Sequence, residues 1–234
     1  MAEKECFSHF KMNHEYLTFL RELPRSFSEI GAMLPSSPAL GRALVKPIRD
    51  AHRPLNILEV GPGTGPVTRQ ILRLLRSEDT FTICEINPRF LSLLKKNLQT
   101  NRQFRRHRER ITFFQGAVQE LPMSEVFEAK YDIIVSSLPF SNFTPESVGE
   151  ILSVFDSIVS DDGSISFMEY LAVRKVTSLF ASREGRARLD GVERVVQNWM
   201  DRIEVEGKVR KRVSLMNLPP AMAIQLDYQC KTAA

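Results

Sequence analysis

The chain has 234 residues, 43% hydrophobic and 26% charged, which suits one compact α/β domain with small additions. No run approaches the roughly 18–20 unbroken apolar residues that cross a bilayer, and the first residues lack the apolar core and small-residue cleavage site of a signal peptide, so neither is expected. The formal net charge is +4, which favours an anionic partner without naming one.

Residues 3–23 predict an amphipathic helix. Phe7, Phe10, Leu17 and Leu20 recur at helical spacing, Met12, Phe19 and Leu23 widen the apolar face, and Lys4, Lys11, Glu15 and Glu22 lie opposite. Pro24 closes it, a short helix follows over 27–33, and Ala39 to Asp50 resumes a helical pattern after Pro35-Ser36-Ser37-Pro38. From residue 55 strands and helices alternate. Strands are predicted at 56–60, 80–85, 111–114, 131–136 and 164–169, with helices from the glycine turn to Arg76, over 88–98 and over 145–157. Residues 172–203 read as helical, with Gly185 and Gly191 as possible interruptions, and strands near 209–216 and 223–229 end the chain. Such alternation implies a Rossmann-like, doubly wound α/β sheet, mostly parallel, with an antiparallel C-terminal edge strand. Residues 1–52 are read as an N-terminal helical segment and 53–234 as the ligand-binding domain.

The strongest local signal is Ile57-Leu58-Glu59-Val60-Gly61-Pro62-Gly63-Thr64-Gly65. A strand ends in an acid, and a glycine turn then opens a helix, so backbone can approach a ligand closely. Glu85 closes the next strand, where such folds use a carboxylate on ribose hydroxyls. A nicotinamide-binding turn needs a third glycine where Pro66 stands, so the dinucleotide fingerprint is not met. Cys6, Cys84 and Cys230 are far apart, and His9, His14, His52 and His107 form no ligand set; no metal is expected, and the reducing cytosol is the expected compartment. Positive charge gathers in Lys95-Lys96, in Arg102, Arg105, Arg106, Arg108 and Arg110, in 183–194 and in 208–212. It reads either as solvated surface or as a face for phosphate, in lipid headgroups or nucleic acid.

The spacing E-x-G-x-G-x-G resembles that of class I S-adenosylmethionine-dependent methyltransferases. Ser136-Ser137-Leu138-Pro139-Phe140 follows the fourth strand, where an Asn-Leu-Pro-Tyr type signature marks methylation of amino nitrogen in that superfamily. With Phe167-Met168-Glu169-Tyr170, Arg174-Lys175, Asn217-Leu218-Pro219-Pro220 and Gly31-Ala32-Met33-Leu34-Pro35, the chain resembles the soluble bacterial phospholipid N-methyltransferases over nearly its whole length. Ornithine-lipid N-methyltransferases share much of the pattern. The resemblance implies S-adenosylmethionine as cofactor and S-adenosylhomocysteine as product. It places the cofactor against Ser36, Glu59, Gly61, Pro62, Gly63, Gly65, Glu85, Ile86, Gly116, Ala117, Val118, Ser136, Ser137 and Leu138. Ala117 stands where these enzymes usually hold adenine with a polar group, so backbone or a neighbour must serve.

For the acceptor the resemblance implies an aromatic and acidic pocket of Tyr16, Phe140, Glu169 and Tyr170, with Arg174 or Lys175 on a lipid phosphate. The expected partner is a membrane lipid at an anionic bilayer, reached peripherally from the cytoplasmic face by the N-terminal helix. Bacterial rRNA adenine dimethylases share the fold and an Asn-Leu-Pro-Tyr motif. Here Ser137 replaces the Asn and Phe140 the Tyr, and no separate RNA-binding domain is seen, so the expectation is against nucleic acid. A third alternative is a non-enzymatic relative that uses its N-terminal helix for interaction.

Overall fold

The computed structural model describes residues 37–170, 183–214 and 221–229. The predicted helices over 3–23 and 27–33, and residues 172–182 of the later helical stretch, lie outside the described residues.

Seven strands form one sheet: β1 (Asn56–Val60), β2 (Thr80–Glu85), β3 (Ile111–Gln115), β4 (Tyr131–Ser136), β5 (Val159–Tyr170), β6 (Lys208–Ser214) and β7 (Ala221–Asp227). Their order is β3-β2-β1-β4-β5-β7-β6. The first five run parallel, and β7 is antiparallel to both β5 and β6. This is the doubly wound sheet expected, its antiparallel closure made by β7 inserted between β5 and β6. β1, β2 and β4 are buried almost throughout, as parallel strands covered on both faces must be.

One face carries α1 (Pro38–Leu44), α2 (Lys46–Asp50), α3 (Pro66–Leu74) and α4 (Pro88–Leu98). Leu40, Leu44, Ile48, Val67, Ile71, Leu94 and Leu98 from these helices join Ile57, Ile83, Val135 and Met168 of the strands in one apolar core. The other face carries α6 (Pro145–Ile158) and α7 (Arg183–Glu206), numbered after the short α5 (Arg102–His107). Strand alternation makes the division visible in β5: Met168 joins the first core, while the ring of its neighbour Phe167 packs 5.7 Å from Trp199 of α7.

Several elements differ from the sequence expectation. The helix predicted over 39–50 is two helices, because Pro47 has no N–H to continue the first. β5 begins at Val159 rather than Ser164, with a register irregularity against β4 that absorbs the extra residues around Asp161-Asp162-Gly163. α5 was hidden in the basic run, although Asn101 caps it by accepting from the Gln103 and Phe104 amides at 2.9 and 3.0 Å. Neither Gly185 nor Gly191 interrupts α7. Gly191 is needed for contact instead: a Cβ there would stand 2.6 Å from Pro145 Cγ at the start of α6.

Gly149 and Gly191 of this helix pair should respond with opposite sign. Gly191→Val forces α6 and α7 apart and should cost about 1–3 kcal/mol. At Gly149 a Cβ meets only Val195 Cγ1, at 3.9 Å, so Gly149→Ala should gain up to about 1 kcal/mol of helix propensity. Urea unfolding of both variants measures the two effects.

Candidate functional site

The strand order reverses between β1 and β4, and in a doubly wound sheet the crevice for a ligand opens outside the carboxyl ends at that point. Val60 pairs with Ser136, and the Ser137 amide donates to the Val60 carbonyl at 2.9 Å. The Gly61–Gly65 turn and the loop from Ser137 to Phe140 are thereby set side by side.

Gly61, Gly63 and Gly65 have φ of 70°, 55° and 85°, a region L side chains rarely adopt. Their surroundings differ. A Cβ on Gly61 would stand 2.6 Å from Leu138 Cδ2, and one on Gly65 would collide with Leu94 Cδ1. A Cβ on Gly63 would meet nothing within 4 Å. Two of the glycines are packed into protein, and the middle one shows bare backbone to the crevice. Gly65 also leads into α3, with Pro66 at its first turn, where the missing N–H costs nothing.

The turn is tied to the end of β2. The Gly61 amide donates to the Cys84 carbonyl at 3.0 Å, and the Gly63 amide to Glu85 Oε2 at 3.1 Å. Glu85 Oε1 accepts from the Asn87 amide at 2.9 Å, and the Glu85 carbonyl accepts from the Gly116 amide at 3.2 Å. Burial pushes the Glu85 carboxyl above its ordinary value, while the amides of Asn87, Gly63 and Ile86 hold part of that rise back. Glu59 is fully buried, and neither of its oxygens has a hydrogen-bond partner of ordinary geometry. Burial pushes it up to about 8, which the adjacent Thr68 hydroxyl opposes and the charge of Glu85 reinforces. Ser137 Oγ is likewise buried without a partner.

After β3, Ala117 is buried and its amide donates to Glu120 Oε2 at 3.1 Å. Glu120 is thus the polar neighbour at the station where Ala117 offers none. Sequence reading passed over it because it lies three residues on, in a short 3-10 turn (Val118–Met123).

Beyond the glycine turn, Phe140 and Glu169 line one cavity of about 300 Å³ with Pro139, Ser141, Phe167 and a face of α7. Phe140 is only 6% exposed, and its ring lies 5.6 Å from that of Phe167. Two of the four acceptor residues are therefore brought together. Tyr170 ends β5, but its side chain, like Tyr16, Ser36, Arg174 and Lys175, lies outside the described residues.

Arg188 belongs to the basic run over 183–194. It turns inward from α7, its guanidinium donating to the Ser141 carbonyl at 2.7 Å and the Phe143 carbonyl at 2.8 Å, and so holds the loop that carries Phe140. Nothing in the local pattern marks it, because its partners lie more than forty residues away. Arg210 pairs with Asp227 and Arg212 with Gln225, so part of the 208–212 run is scaffold as well. Among the described residues no cluster of His, Cys, Asp and Glu is placed to hold a metal ion, and no helix is long and apolar enough to cross a membrane.

Residues 57–163 match the family model of a methyltransferase domain. The doubly wound sheet, the glycine turn between two buried acids and this match are together those of an S-adenosylmethionine-dependent methyltransferase. It is similar to the ornithine lipid N-methyltransferase of Singulisphaera acidiphila, 24% identical over 156 residues, which cover 65% of this chain and 76% of the relative. Its fold is that of an O-methyltransferase from Bacillus cereus solved in complex with SAH (TM-score 0.62, 14% identity, 96% of each chain). A putative O-methyltransferase from Klebsiella pneumoniae is equally alike (TM-score 0.62, 15% identity, 96% of this chain and 95% of that one).

The residues fit the cofactor. Gly63 leaves open space where backbone meets ligand, Glu85 stands at that turn with lone pairs left on both oxygens, and Glu59 is a buried acid without a partner in a crevice that takes a cationic molecule. Gly63→Val and Glu85→Ala should each weaken S-adenosylmethionine binding at least about tenfold, or about 1.4 kcal/mol, by titration calorimetry. Glu59 should also shape the pH dependence of the ligand-free protein. Its folded carboxyl binds a proton below about 8, its unfolded one only near the ordinary 4.5, so stability falls as pH rises between those values. Glu59→Gln should flatten that decline, seen as a smaller difference in Tm between pH 5 and pH 8.

Proposed function

We propose that the protein is an N-methyltransferase acting on the amine headgroup of a membrane lipid. Phosphatidylethanolamine and its methylated intermediates towards phosphatidylcholine are the first substrates, and ornithine lipid is the second. The observation that carries this reading is the meeting of Phe140 and Glu169 in one cavity, reached by the loop whose first residue, Ser137, is bonded to Val60 at the start of the glycine turn. Similarity to an ornithine lipid N-methyltransferase supports the lipid class, whereas the O-methyltransferase likenesses speak to the fold alone.

In this reading Glu85 holds the ribose hydroxyls, the backbone at Gly116–Val118 faces adenine, and Glu59, Ile86, Pro62 and Ser136–Leu138 complete the crevice, with Ser36 closing it from the N-terminal side. Bound S-adenosylmethionine supplies a methyl group already activated on a sulfonium, whose sulfur leaves with the bonding pair as the nitrogen–carbon bond forms. The work left to the chain is alignment, exclusion of water and removal of one ammonium proton. Glu169, half-buried at the cavity wall, accepts that proton. The Phe140 ring faces the amine and holds its methylated cation, at about 0.5–2 kcal/mol. Tyr16 and Tyr170 are further aromatic candidates for the amine, and the phosphate falls to a nearby cation, for which the resemblance offers Arg174 or Lys175. The amphipathic helix expected over 3–23 brings the enzyme to the cytoplasmic face of an anionic bilayer, since drawing a two-chain lipid out into water costs about 0.8 kcal/mol per CH₂.

The test is transfer of labelled methyl from the cofactor to vesicles of phosphatidylethanolamine, to ornithine lipid or to total RNA. Label should enter lipid; label in RNA alone overturns the reading. Phe140→Leu keeps most of the packing against Phe167 but loses the ring. It should lower kcat about tenfold or more with cofactor affinity unchanged. Equal loss of both would make the loop mere scaffold.

A further inference from the structure

The lining of the cavity grades from apolar and buried to charged and exposed. Phe140 and Phe167 are buried, and Leu189, Val192, Val196 and Met200 of α7 join them, recurring at three- and four-residue spacing along one helix face. Two carboxylates, Glu169 of β5 and Glu193 of α7, are half-buried. Lys211 of β6 is exposed, which puts it at the rim, and it is the one cation among the described lining residues.

The register explains how Lys211 comes to share this cavity. Phe167 pairs with Ile224 and Ile224 with Lys211, so all three project from the face that α7 covers. Glu169 reaches Val213 in the same way, through Met222, two residues further along. Two ladder steps across and two residues along put the backbones of Glu169 and Lys211 about 12 Å apart. Their side chains shorten that gap from both ends, leaving room for a short zwitterion. The flanking Arg210 and Arg212 are engaged with Asp227 and Gln225, while Lys211 makes no ion pair among the described residues.

From this geometry we infer that Lys211 and Glu193 are specificity residues that read a zwitterionic acceptor at its two ends. The amine enters first, to Phe140 between Glu169 and Glu193, and Lys211 takes an anionic group a few bonds behind it at the mouth. The inference rests on the amine-acceptor reading above and deepens it. The anionic group is a phosphodiester in phosphatidylethanolamine or a carboxylate in ornithine lipid. In a membrane-bound lipid that group lies nearer the acyl chains than the amine does, which matches a cation at the rim and acids below.

Soluble headgroups test it without relying on turnover. Full-length protein loaded with S-adenosylhomocysteine is titrated by NMR with phosphoethanolamine, Nα-acetylornithine, ethanolamine and glycerol phosphate. Wild type should bind a zwitterion more tightly than ethanolamine or glycerol phosphate; phosphoethanolamine and Nα-acetylornithine tell phosphate from carboxylate. Lys211→Met should weaken zwitterion binding about tenfold, the worth of a charge-assisted hydrogen bond, and leave ethanolamine unchanged; Lys211→Arg should restore it. Glu193→Gln should weaken ethanolamine as well. Zwitterion affinity unchanged in Lys211→Met, or no preference in wild type, overturns the inference. If this binding pattern appears but vesicle lipids take no label, the lipid reading falls and the zwitterion site stands. If lipids are labelled and Lys211→Met binds as wild type does, the reverse holds.

Discussion

The carboxyl end of the sheet depends on one side chain, Glu85, whose two oxygens accept from the amides of Gly63 and Asn87. The first bond fixes the glycine turn after β1; the second fixes the approach to α4, whose first amides are capped by Asn87. With the Gly116 amide on its own carbonyl, Glu85 joins the ends of β1, β2 and β3. The cost is burial of a carboxylate, visible in its raised pKa, and the amides offset part of it. Leaving those donors unpaired in a buried place would cost about 1–3 kcal/mol each. A group that shapes the turn thus also stands at the ligand crevice, so that the turn is held in place by the protein's own bonds.

The other wall is held from the opposite face. The loop after β4 has few bonds of its own: a 3-10 turn closed by the Phe143 amide on the Phe140 carbonyl, at 3.0 Å. Arg188 adds two charge-assisted bonds to its carbonyls, and a chain of rings runs from Phe140 through Phe167 to Trp199. Trp199 is fixed in turn by its indole N–H on Asp156 of α6, an acceptor shared with Tyr228 and Arg202. α7 therefore serves as the rigid back of the cavity lined by Phe140, and the close α6–α7 contact at Gly191 sets its distance from the loop. The crevice at the glycine turn is built from backbone and one carboxylate. The cavity is built from side chains contributed by four elements.

That difference explains what could be read in the sequence. The glycine turn, Glu59 and Glu85 are local: strand, acid, glycines and next acid fall within thirty residues, and each residue type answers to a backbone requirement. The strands of the parallel core were legible as short apolar runs, because burial on both faces leaves little else to choose. Phe140 and Glu169 stand out only through resemblance of short segments; that they share one cavity is visible in the fold alone. Arg188, Glu193 and Lys211 were not found, since their meaning arises from α7 lying across β5 and β6, a relation between residues up to about seventy positions apart with no periodic trace. The split at Pro47 is legible in principle, as a proline about two turns into a helix removes a donor, but the apolar spacing runs across it unbroken.

Charge shows the same limit from the other direction. Runs of Arg and Lys looked like faces for phosphate, but position, not number, decides what each can touch. Arg188, Arg210 and Arg212 are taken up by the fold. Arg102, Arg105, Arg106, Arg108 and Arg110 precede the start of β3, whereas the ligand crevice lies beyond its end at Gly116, roughly 17 Å away along the strand. They cannot contact a molecule held in that crevice, and at physiological salt a charge so distant through solvent is largely screened. Of the basic runs within the described residues, only Lys211 reaches the cavity. A net charge of +4 therefore sets only the long-range field of the protein, and the position of each cation decides what it can touch.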